Sequence, residues 1–106
     1  MISDETVEKI LTETLANPAE MLEALREKLQ SEHILKVTKA LQMKEFHGMA
    51  ISAQEREAVA SDKYQKAIDR VVTATVNYEK QKVEMERSRF TLEIYRTQQA
   101  NQRYNI

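Results

Sequence analysis

One glycine and one proline in 106 residues leave this chain few places to turn. Sheets and irregular domains need a turn residue at nearly every reversal, because Gly supplies left-handed conformations and Pro fixes the first corner of tight turns. Continuous helix is what such a sequence can build. Its abundance of Ala, Glu, Lys, Gln, Arg and Leu agrees, since these side chains lose the least rotamer freedom in a helix. Apolar residues make up 42% of the chain and aromatic ones 6%, so any core is thin. At this length the chain is a single all-helical domain over residues 1–106.

Punctuation along the chain predicts helices at about 4–16, 18–47 and 52–103. Ser3 or Asp4 can cap the first, and its apolar residues Val7, Ile10, Leu11 and Leu15 share one face. "NPAE" is a second start signal, with Asn17 as N-cap, Pro18 at the first helical position and Glu20 reaching back to the cap. Beyond it, Leu22, Leu25 and Leu29 make one stripe and Ile34, Val37 and Leu41 a second. The step from 29 to 34 breaks the three-to-four rhythm. Either the buried face rotates near Ser31 or the helix is briefly interrupted there, and the absence of Gly and Pro favours rotation. "FHGMAIS" is the expected hairpin turn, with Gly48 left-handed at a helix end and Ser52 with Glu55 capping the next helix. Nothing after Ser52 is expected to stop that helix before about residue 100, a run of about 75 Å at 1.5 Å per residue.

That last helix carries two apolar strips. Tyr64, Ile68, Val71, Thr75, Tyr78, Met85 and Leu92 follow a seven-residue rhythm; Val72, Val76, Val83, Phe90 and Ile94 form the other. Antiparallel pairing about Gly48 makes contacting residue numbers sum to roughly 100, placing Leu41 near Val59, Leu29 near Val71 and Leu22 near Tyr78. The fold class expected is therefore all-α: an elongated, coiled-coil-like antiparallel hairpin with a short N-terminal helix. The second strip needs a further partner, either the first helix or another copy of the chain. A homo-oligomer, dimer or higher, is the expected state, with helices assembled into a bundle.

Catalytic chemistry finds little purchase. With no cysteine there is no disulfide, thiol nucleophile or thiolate metal site, and a single glycine cannot make a phosphate-cradling loop. His33 and His47 stand about 14 residues apart, roughly 20 Å along a helix, with Glu32 and Glu45 nearby but no metal-ligand spacing. The acids are scattered over faces expected to be wet. The chain reads as a non-enzyme with no cofactor, no catalytic residue and no metal site. "MISDETVEK" lacks the basic start and apolar run of a signal peptide, and no stretch approaches the ~18 apolar residues of a membrane span, so a cytoplasmic location with no membrane partner is expected.

Charge is unevenly spread. Residues 1–32 hold eight acids against Lys9, Arg26 and Lys28, whereas residues 80–106 hold six bases against Glu84, Glu86 and Glu93. Lys80, Lys82, Arg87, Arg89, Arg96 and Arg103 are interleaved with Tyr78, Phe90, Tyr95 and Tyr104. Cations beside stacking rings suit single-stranded nucleic acid, because backbone charge and base faces can both be engaged. Against this, acids lie among the cations, and the acidic end would lie beside the basic one in a hairpin and neutralise it. Lys80, Lys82, Arg87, Arg89, Tyr95, Arg96, Arg103 and Tyr104 are thus the candidates for contact with a protein or a nucleic acid.

"SAQEREAVA", "SDKYQKAI" and "IYRTQQANQR" after a helix ending near Gly48 resemble a group of small phage and prophage proteins, over roughly residues 32–103. In those, a helical hairpin begins its second helix with acid-Arg-x-Ala and ends in an aromatic-Arg-x-x-x-Ala-Asn-x-Arg pattern. The matching positions are Glu55, Arg56 and Ala58, then Tyr95, Arg96, Ala100, Asn101 and Arg103, while "HGMAIS" departs from the family's turn. The resemblance implies a phage-borne accessory protein of the host cytoplasm, encoded among replication or recombination genes. The leading functional expectation is a helical interaction or adaptor protein binding through its long C-terminal helix. An accessory nucleic-acid-binding factor using the basic C-terminal third comes second, and an inhibitor whose acidic N-terminal third mimics nucleic acid comes third.

Overall fold

The computed structural model describes residues 1–15 and 18–104 and is all-α, with no strand among the described residues. Its helices are α1 (Asp4–Lys9), a π-helical stretch (Ile10–Leu15), α2 (Ala19–Lys44), α3 (Ile51–Ala60) and α4 (Asp62–Tyr104). By compactness the chain divides into two units, Met1–Leu22 with Glu79–Ile106, and Glu23–Tyr78.

The unit Glu23–Tyr78 is the hairpin, and its seam differs from the expected one. Ala24, Ser31 and Gln42 are buried on α2, and Ala58, Ala67 and Ala74 on α3 and α4, whereas Leu29, Val37 and Leu41 are exposed. Leu25 and Ile34 are only half-buried. Small side chains at seven-residue spacing let two helix axes approach closely, and a leucine in the same place would hold them apart. Three pairs bridge the hairpin, and the first two set its register. Lys39 Nζ donates to Glu55 Oε1 at 2.6 Å, Arg70 Nε to Glu27 Oε1 at 2.8 Å, and Lys28 Nζ sits 5.6 Å from the centre of the Tyr78 ring. From Glu27 opposite Arg70, the same register sets Ala24 level with Ala74, and Ser31 level with Ala67.

Helix α2 runs unbroken through Ser31, so the interruption is absent, and the buried face does not rotate there either, because Ala24, Ser31 and Gln42, spaced by seven and eleven, lie along one side of the helix. The buried Ser31 hydroxyl donates to the Lys28 carbonyl one turn back at 2.8 Å, which satisfies it without a gap in the helix. The turn works differently from the expectation. Gly48 has no positive φ and open space where a Cβ would stand, so its freedom is unused. Tight bonds from Glu45 to Gln42, Phe46 to Met43 and Met49 to Phe46 wind the chain down instead, and the Gln54 amide ties the turn by donating to the Met49 carbonyl at 2.8 Å. The helix beyond starts at Ile51 after Ala50, which offers no side-chain cap, so Ser52 lies inside α3 rather than capping it.

Nor is the run after residue 52 continuous. Ser61 is extended, with φ −68° and ψ 150°, and separates α3 from α4. Its hydroxyl donates to the Ala58 carbonyl at 2.7 Å and accepts the Tyr64 amide at 3.2 Å, ending one helix and capping the next. A single serine therefore does what Gly and Pro were expected to be needed for.

In the other unit the N-terminal segment packs on the C-terminal part of α4. Ser3 caps α1 as expected, its Oγ accepting the Thr6 amide at 3.1 Å. Ile10, Met85 and Leu92 form the buried centre. Two polar bonds fasten its edge: the Tyr95 hydroxyl donates to Asp4 Oδ1 at 2.7 Å, and the Ile2 amide donates to Gln98 Oε1 at 3.4 Å. Residues 10–15 are π-helical, with Ile10 buried, Val7 and Leu15 half-buried and Leu11 exposed, so the four do not share one buried face. The N-cap expected at Asn17 lies outside the described residues. Helix α2 itself begins at Ala19, immediately after Pro18.

Candidate interaction surface

Helix α4 gives two opposed faces to the unit Met1–Leu22 with Glu79–Ile106. Met85 and Leu92, seven residues apart, point into the centre. Val83 and Phe90 each precede one of them by two residues, about 200° around the helix at 3.6 residues per turn, and so lie on the opposite side. They are 51% and 63% exposed, and Ile94 beside them is 36% exposed. Of the second strip, then, these three lie exposed on that face. Val72 and Val76, in the hairpin unit, are likewise exposed. The first strip, by contrast, is buried or half-buried throughout: Tyr64, Ile68, Val71, Thr75 and Tyr78 in the hairpin, and Met85 and Leu92 in the other unit.

The six cations of the C-terminal third, one group in the sequence, separate into two columns. Lys80 and Arg87 are exposed and lie among Val83, Phe90 and Ile94 on the outer face. Lys82, Arg89, Arg96 and Arg103 are spaced by seven and run beside the buried seam, with Lys82 Nζ 3.7 Å from Glu79. The seven-residue interval was readable in the sequence, but only the buried face shows what each column lies against. Tyr95, Arg96 and Arg103 are brought together, lining a shallow groove with Gln99 and Ala100. Tyr104 is exposed beyond it.

Tyr95 is engaged within the chain. Its hydrogen bond to Asp4 stabilises the neutral phenol and raises its pKa above the ordinary value of 10.0. The same contact brings the acidic first turn, Asp4 and Glu5, to the part of α4 that carries Arg96. Acid beside base weakens the field that a nucleic-acid backbone would meet.

His33 and His47 are exposed and belong to no metal-binding group among the described residues, where no cluster of three or more His, Asp or Glu side chains is gathered. The strongly paired charges are structural. Glu27 and Glu55 have their carboxyls held below the ordinary value of 4.5 by hydrogen bonds from Arg70 and Lys39. No helix among the described residues is long and apolar enough to cross a membrane. Comparison with protein families, curated proteins and solved structures finds no match to the chain.

Proposed function

We propose that this chain is a non-enzymatic helical interaction protein, phage-encoded as its resemblance implies, that acts through self-association and protein binding along α4. The observation that carries this reading is the exposed strip of Val83, Phe90 and Ile94 on the face of α4 opposite its buried one. Apolar side chains repeated at helical spacing on an unpartnered face are what a helix presents to another helix. An accessory role on nucleic acid is less well supported, because the acidic first turn of α1 lies against the basic part of α4.

The reading is tested by light scattering of the full chain from low to high micromolar concentration, with Phe90→Glu as control. The wild type is expected to be dimeric or larger and the variant monomeric, with equal helical circular dichroism. A wild type that stays monomeric and still melts cooperatively would refute it. Titration of single- and double-stranded DNA at low and physiological salt addresses the second role. Binding that falls steeply with salt and with Arg96→Ala/Arg103→Ala would move the function to nucleic acid.

A further inference from the structure

The N-terminal segment is a short acidic helix lying on α4 of its own chain. Ile10 is buried and Ile2, Val7 and Leu15 are half-buried, while Asp4, Glu5, Glu8 and Glu13 stand exposed. On the inner face of α4, Met85 and Leu92 are 9% and 6% exposed. Three polar bonds tie the two together: the Tyr95 hydroxyl donates to Asp4, the Ile2 amide to Gln98, and the Gln102 side-chain amide to the Met1 sulfur at 3.7 Å. These pairs run antiparallel and set Val7 level with Leu92. The segment has little of its own to hold it in shape. A helix of about 12–15 residues is marginal in water by itself, half of this one is π-helical, and Ile10 is the one side chain it buries. Its order depends on the seat that α4 provides.

We propose that this inner face of α4 is a docking seat for an acidic amphipathic helix of a partner protein, and that residues 1–15 are its intramolecular occupant, a strap that masks the seat until a partner displaces it. The seat lies on the opposite side of α4 from Val83 and Phe90, so it operates whether or not the chain self-associates.

The strap shows which chemistry the seat accepts. Aliphatic side chains at helical spacing cover Leu92 and Met85, and this is how an amphipathic helix fills a groove. Charge selects an acidic one. Residues 1–15 hold four acids against Lys9, whereas residues 94–104 hold Arg96 and Arg103 and no acid. Asp4 gives its bond to Tyr95, so Arg96 and Arg103, in no ion pair among the described residues, are left for the carboxylates that a partner brings. Masking follows from tethering. A segment joined to its own seat acts at an effective concentration of about millimolar, so a free helix of equal intrinsic affinity loses to it. Weakening the strap removes that handicap, just as emptying a competing state raises apparent affinity.

The strap also supplies the probe. A synthetic peptide of residues 1–15, MISDETVEKILTETL, is titrated to low millimolar concentration into isotope-labelled full-length chains and followed by amide chemical shifts. Ile10→Asp and Val7→Asp are two independent ways to release the strap. In each, the peptide is expected to shift residues 85–99 and to bind at a concentration roughly tenfold or more below what the wild type requires. Leu92→Asp added to Ile10→Asp should abolish those shifts, with circular dichroism confirming that every variant keeps its hairpin helices. A peptide that leaves both release variants unchanged, that binds the wild type equally well, or that still binds after Leu92→Asp overturns the proposal. Loss of the hairpin helices in both release variants overturns it too, since residues 1–15 would then be part of the fold rather than an occupant of it.

Discussion

The leucines of α2 should matter less to the hairpin than its alanines and serine. Leu29 is 55% exposed, so folding removes less than half of its apolar surface from water. Full burial of a leucine is worth about 1.5–3 kcal/mol, so Leu29→Ala is expected to cost about 0.7–1.4 kcal/mol, part of it returned by alanine's higher helix propensity. A leucine sealed in a core would cost about 2–5 kcal/mol instead. Ala74 is 5% exposed on the seam, and Ala74→Leu inserts three carbons at that buried position. Overpacking of that kind costs about 1–3 kcal/mol, a fall of roughly 4–8 °C in Tm per kcal/mol for a chain near 100 residues. Adding carbon should therefore hurt more than removing it. Urea unfolding followed by circular dichroism would measure both variants at two protein concentrations an order of magnitude apart, so that stability lent by self-association shows as a concentration dependence. A concentration-independent loss above about 2 kcal/mol for Leu29→Ala, with Ala74→Leu neutral, would mean that the helices pair through their leucines and that the seam is misassigned.

Two further expectations follow from single side chains. Ser61→Ala removes the bond to the Tyr64 amide and the bond to the Ala58 carbonyl, and should cost about 1 kcal/mol in the same unfolding assay; no loss would mean that the break is set by neighbouring packing instead. Tyr95 holds its proton more firmly when folded, so the stability it lends is complete below pH 10, the unfolded value, and is lost as pH rises through the higher folded one. Amide exchange at Asp4–Lys9 should be faster in Tyr95→Phe than in the wild type at the same neutral pH, and equal rates would show that the bond to Asp4 does not hold α1 down.

Much of this architecture is legible in the residues themselves. A chain with almost no Gly or Pro has no cheap way to leave the helical conformation, so the all-α class follows from backbone chemistry alone. Ser3 announces the first helix because a serine oxygen facing free amides needs only local geometry. The strip from Tyr64 to Leu92 was readable too, since its seven-residue rhythm fixes which residues share a face. Its companion strip, from Val72 to Ile94, could be recognised as a second surface for the same reason.

What the sequence could not decide was which face of α2 the hairpin would bury. Leu22 and Leu29 repeat at seven residues, and so do Ala24 and Ser31. Hydrophobicity favours the first pair, but two helices can close tightly only over the second, and that depends on the facing alanines of α4, more than thirty residues away along the chain. Ser61 is similar: its break becomes visible only when both bonds of one hydroxyl are in place. So too with the cations of α4, whose two columns acquire different surroundings only once Met85 and Leu92 are buried. Local propensity chose helix nearly everywhere, and the packing of one helix on another chose which residues were left exposed.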